Sequence, residues 1–178
     1  GCIFGSFLAY LSASQTIFQV YYNVGDMFPY IFATLAFSIG LASYFNGKMV
    51  MRFGMRKLCR FALKGANGFA LVYLALLIAY DGLPPLALTI TVMFIGFFFV
   101  GILFGNLNAM AMQPLGDVAG LGAAIIGSFS SLFSVPVALF VDSFLDGTLM
   151  PIGIGFFVFF ALSYVAVRFA ERVRECGA

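Results

Sequence analysis

Apolar residues in this chain fall into runs that are too long for strands and too unbroken for the face of a surface helix. The first extends from Gly1 to about Tyr22 and stops at Asn23-Val24-Gly25-Asp26, a turn-forming string. The second runs from about Met27 to Phe45 and gives way at Asn46-Gly47, and the third from about Leu58 to Ala79 ends before Asp81-Gly82-Leu83-Pro84-Pro85. The fourth, Leu86 to about Gln113, is closed by Pro114-Leu115-Gly116-Asp117. The fifth, about Val118 to Val141, contains Pro136, a point where a helix is expected to kink. After a turn from Asp142 to Pro151, the sixth runs from about Ile152 to Ala170. Each run approaches or exceeds the ~20 residues that carry a helix through ~30 Å of hydrocarbon. The pattern predicts an all-α membrane protein, a bundle of six transmembrane helices spanning residues 1–178 as one unit, with a loop at 46–57.

Composition removes the soluble alternatives. With 63% hydrophobic and 9% charged residues, a water-soluble domain would have too little polar surface to cover itself. Charge placement adds an orientation. Lys48, Arg52, Arg56, Lys57, Arg60 and Lys64 lie between or beside the second and third runs, and Arg168, Arg172 and Arg174 end the sixth. All nine cations therefore fall on one side of a six-span topology, while the opposite loops carry Asp26, Asp81, Asp142 and Asp146. The positive-inside rule makes the basic side cytoplasmic, with both ends of the chain there. Arg60, Lys64 and Asn67 share one stripe at helical spacing, from which the cations snorkel to the headgroups. Gly1 begins within an apolar run, with no charged leader start and no small-residue cleavage site, which reads as a piece of a longer protein. Three scattered cysteines, Cys2, Cys59 and Cys176, give no disulfide framework, and the topology sets all three on the reducing side.

Several chemistries lack their residues. There is no G-x-x-x-x-G-K-[ST] phosphate loop, no histidine, and no acid inside a run. An ATP-driven pump, a metal site and an intramembrane hydrolase are therefore not expected, and neither are a cofactor or a nucleic-acid partner.

Other positions carry candidate contacts. Ser12, Gln15, Gln19 and Tyr22 follow one another at spacings of three or four and give the first helix a polar face. Such a face meets either other helices, as hydrogen-bonding glue, or a water-filled cavity that takes substrate. Phe18, between the two glutamines, is the aromatic candidate for that cavity. Asn106 and Asn108 lie about twenty residues into the fourth run, near its cytoplasmic end, where they line an inner mouth or cap the helix. Gly120, Ala124, Gly127, Ser131 and Ser134 form a stripe of small residues, as do Gly101 and Gly105, and close helix packing is the simpler reading of both. Ser131 is also kept as a cavity candidate. The Phe156, Phe157, Phe159, Phe160 cluster wraps around its helix and reads as peripheral.

Two stretches carry a family resemblance. Gly47, Arg52, Gly54 and Arg56-Lys57 have the G-x-x-x-x-R-x-G-x-R-[RK] spacing of the loop motif of the major facilitator superfamily, with Met51 where the motif has an acid. Within it one glycine permits a close helix approach, the other a tight turn, and the arginines bond helix-end carbonyls or a carboxylate. Asn106 to Gly127, NLNAMAMQPLGDVAGLGAAIIG, followed by DGTLMP, resembles the last three helices of the Bcr/CflA-type bacterial multidrug efflux transporters. LSASQTIFQ in the first run is similar to a further family string, with Gln15 in place of its proline, and Asp117 stands where the family often has histidine. The resemblance implies helices seven to twelve of a twelve-helix transporter in a bacterial inner membrane, partnered by an N-terminal six-helix half. It implies proton-coupled export of small amphipathic drugs by alternating access, with the coupling acid in the other half. The first, second, fourth and fifth helices then border the cavity or the other half, and the third and sixth pack outside. Two alternatives stay open: a transporter for another small solute such as a sugar, amino acid or metabolite, and a truncated remnant or accessory subunit that transports nothing.

Overall fold

The computed structural model describes residues 1–113, 119–145 and 147–176. It is helical nearly throughout, and the turn signals set the joints. The elements are α1 (Cys2–Gln15), α2 (Phe28–Phe53), α3 (Met55–Ala79), α4 (Leu86–Met112), α5 (Ala119–Asp142) and α6 (Met150–Cys176). Five stretches, Gly25–Phe53, Met55–Ala79, Leu86–Met112, Gly120–Asp142 and Met150–Ala170, are each long and apolar enough to cross a membrane. The first run is divided differently. α1 is 14 residues long and widens into a π-helical segment, Thr16–Tyr21, in which the Tyr22 N–H reaches the Ile17 carbonyl five residues back at 3.0 Å. The chain is thus an all-α, multi-pass membrane fold.

Prolines and glycines start the helices. Pro29 stands in the first turn of α2, Pro85 precedes α4, and Pro151 follows the first residue of α6, positions where a missing N–H costs nothing. The expected loop at 46–57 is largely absent. α2 continues through Asn46, Gly47 and Lys48 to Phe53, and Gly54 alone, at φ 78° and ψ 151°, separates it from α3. The residues after Gly47 are good helix formers, and charge ends a hydrophobic run without ending a helix that emerges from the bilayer. Gly47 is exposed in mid-helix with no atom near its missing side chain, so no close helix approach occurs there. The turn expected at residues 114–117, together with Asp146, lies outside the described residues.

Packing does not follow chain order. α1 packs on α5 and α6, α4 packs on α2 and α3, and α3 packs on α6. Exchanging the first three helices for the last three maps this pattern onto itself: α1 with α5 becomes α4 with α2, α3 with α4 becomes α6 with α1, and α3 with α6 is unchanged. The core is aromatic. Phe97 of α4 lies 4.7 Å from Tyr10 and 5.3 Å from Phe7 of α1 between ring centroids, while Phe156 of α6 lies 5.5 Å from Phe69 of α3. Phe156 and Phe160 are fully buried, which corrects the peripheral reading of that cluster. Spaced by four, they share the one face of α6 that meets α1 and α3.

Glycine permits a close crossing of α2 and α4. A methyl group at Gly101 would stand 2.7 Å from Ala42 Cβ and 3.2 Å from the Ile39 backbone, so α2 and α4 touch along their main chains there. At Gly105, one turn on, a methyl would meet the Asn46 amide at 3.1 Å. Gly120 and Gly127 meet nothing. Of the small-residue stripe on α5 only Ser134 is buried, while Gly120, Ala124, Gly127 and Ser131 are exposed, so the close packing expected of the stripe occurs only at Ser134.

Candidate functional site

The polar face of α1 is the first candidate, and the structure divides it. Ser12 Oγ donates to Asp142 Oδ2 at the end of α5 at 2.7 Å and lies 3.1 Å from Ala9 O of its own helix. Gln15 Nε2 donates to Gln19 Oε1 at 3.0 Å, one turn on. Gln15 and Thr16 are exposed and Gln19 is half-buried, so the middle of this face is open at the edge of the bundle. Phe18 and Tyr22 do not share that role. Phe18 has no exposed surface and packs on Tyr22 and Phe28. The Tyr22 hydroxyl donates to Pro84 O at 2.7 Å and receives from Thr89 Oγ1 at 2.7 Å, which pins the end of the first span to the start of α4. The wide turn at Thr16–Tyr21 accounts for this split: it rotates the last residues of the span relative to an ideal 3.6-residue repeat, so spacing alone misplaces them.

Asp142 is the residue that sequence reading missed. It ends an apolar run 130 positions from its partner, and nothing in its own spacing points to α1. Its other oxygen, Oδ1, is buried with no hydrogen-bond partner among the described residues. All cations lie at the opposite end of the helices, in 48–64 and 168–174. A buried polar oxygen left without a partner is costly, so the Ser12–Asp142 contact marks a polar point at this end of α1.

The second candidate is a cleft of about 740 Å³ at the basic end. The start of α1, the end of α4, the first half of α5 and the end of α6 form its walls. Asn108, Ser130, Ser131 and Ser163 supply its polar groups, with Gly127, Phe104 and Val167 among the rest. Asn108 and Ser131, read separately from sequence, thus line the same cleft. Asn106 does not belong with them. It is buried, and its Nδ2 donates to Asn46 Oδ1 at 2.5 Å and to Ile102 O at 2.8 Å, tying α4 to α2. An inner-mouth role for Asn106 is therefore replaced by interhelical bonding, with Asn46 as the partner that its position at the end of a run concealed.

In the loop motif, Arg52, Arg56 and Lys57 are exposed around Gly54, and the Arg52 guanidinium lies 5.4 Å from the ring of Phe53. Among the described residues no group of three or more His, Cys, Asp or Glu is placed to hold a metal ion. Comparison with protein-family models, curated proteins and solved structures finds no match to this chain.

Proposed function

We propose that this chain is a six-helix half of a secondary transporter of major facilitator type, which exports small amphipathic solutes in exchange for protons by rocking against a second half. One observation carries the reading: Gln15, at the end of α1, and Gln19, in the wide turn that follows, bond to each other within the first apolar run, and Gln15 and Thr16 stay exposed beside them. Amides do not face lipid without cost, so this surface borders water, substrate or another helix bundle. The exchange symmetry of the packing supports the same reading, since three-helix units repeated within a half are a transporter architecture. So does the incomplete cover of α2 and α5, whose outward apolar residues include Tyr30, Phe37, Leu121, Phe129 and Leu132. Those faces suit a second half packed alongside.

The test is export by cells making the full-length protein. Gln15→Ala and Gln19→Leu change the relative resistance to different drugs while membrane abundance holds. An identical resistance profile in both variants refutes the proposal. The open apolar face of α5 also suits an accessory subunit that docks on a partner and moves nothing, and that reading predicts no export by the purified protein in liposomes.

A further inference from the structure

α2 and α3 meet at Gly54 and diverge from it, leaving a groove of about 280 Å³ lined by Met49, Phe53, Lys57, Leu58 and Phe61. Four of the five are apolar, and Phe53 and Phe61 are exposed. Lys57 is the one charge at the rim. Around it the two helices carry Lys48, Arg52, Arg56, Arg60 and Lys64 and contain no acidic residue between them. Arg56 and Lys57 lie at the positive end of the α3 dipole, whose first turn has no acid and no side-chain cap. Lys48 is already occupied, 2.8 Å from the Tyr44 hydroxyl and 4.6 Å from the centre of its ring.

We propose that this groove holds an anionic phospholipid, with an acyl chain between Met49, Phe53 and Phe61 and the headgroup phosphate on Lys57 and Arg56. A lone inorganic anion would satisfy the charge and leave the apolar walls unused, while a zwitterionic lipid would fill the walls and leave the charge. The joint sits where the helices emerge from the hydrocarbon, the depth at which basic residues meet acidic headgroups. The site needs only the membrane fold and holds whether or not the chain transports.

Native mass spectrometry of the intact full-length protein, released from detergent with added phosphatidylglycerol, phosphatidylcholine of matched chains or inorganic phosphate, tests it. Phosphatidylglycerol is retained about tenfold more than phosphatidylcholine. Arg56→Gln with Lys57→Gln, both at exposed positions, brings retention down to the phosphatidylcholine level, whereas Arg168→Gln at the same end of the bundle leaves it unchanged. Met49→Trp fills the groove, keeps every charge and also lowers retention. Equal retention of the two lipids, full retention by the double variant, or displacement of the lipid by inorganic phosphate would overturn the proposal.

Discussion

Gly101 and Gly127 look alike in sequence, both small residues within a span, and the structure gives them opposite consequences when alanine replaces them. At Gly101 the added methyl enters the α2–α4 crossing, 2.7 Å from Ala42 Cβ and 3.2 Å from Ile39 backbone atoms. Main chain cannot swing aside as a side-chain tip does, so the helices must separate along their shared seam. Overpacking of this kind costs about 1–3 kcal/mol. Alanine returns about 0.5–1 kcal/mol of helix propensity, leaving a net loss of about 1 kcal/mol. At Gly127 no atom lies within 4 Å of the new methyl, so only the propensity gain applies. The two variants should therefore differ by about 2 kcal/mol, with Gly101→Ala weaker than the parent and Gly127→Ala equal or stronger. Reversible unfolding in mixed micelles, followed by the loss of helical circular dichroism, reads the difference. Equal stabilities, or a weaker Gly127→Ala, would refute the α2–α4 contact and the open setting of the α5 stripe together.

Two further outcomes follow from the same packing. A double-mutant cycle on Asn46→Ala and Asn106→Ala should give a coupling of about 0.6–1.7 kcal/mol, the range for hydrogen bonds between membrane helices, and additive effects would mean that the amide pair does not form. Cys59 is 1% exposed while Cys2 is half-buried. A thiol-reactive maleimide should therefore modify Cys59 only after denaturation, and rapid modification of the folded protein would contradict the inward placement of that face of α3.

How much of this was legible in the residues depends on whether a feature is local. Helix count, joints and the distribution of cations follow from runs of apolar residues and their interruptions, and α4 at Leu86–Met112 falls almost where the fourth run lies. The second apolar run ends at Phe45 while α2 continues eight residues further to Phe53, because polarity reports where a helix leaves the hydrocarbon and not where its hydrogen bonds end. Site residues were harder. Spacing put Phe18 and Tyr22 with Gln15 and Gln19, yet the wide turn at Thr16–Tyr21 turns Phe18 into the core and Tyr22 onto α4. Asn106 was recognised as a polar residue in a span, but its partner Asn46 sits 60 residues away on a helix thought to have ended. Asp142 carried no signal of its own, and only the crossing of α1 with α5 brings it to Ser12. Phe156 and Phe160 read as peripheral because four phenylalanines on one helix point everywhere until a neighbour selects the inner pair.

In the proposed transporter, the end of α1 and the wide turn after it, Gln15 to Gln19, border water within the membrane. Single cysteines at positions 15, 18 and 19, in full-length protein with its native cysteines replaced by serine, can be challenged in sealed vesicles with a small charged thiol reagent. Cysteines replacing Gln15 and Gln19 should react quickly and be shielded by a transported drug, while one replacing Phe18 stays unreacted. Equal protection of all three positions, with no effect of any drug, would mean that the glutamines are interhelical glue and that α1 lines no path for a solute.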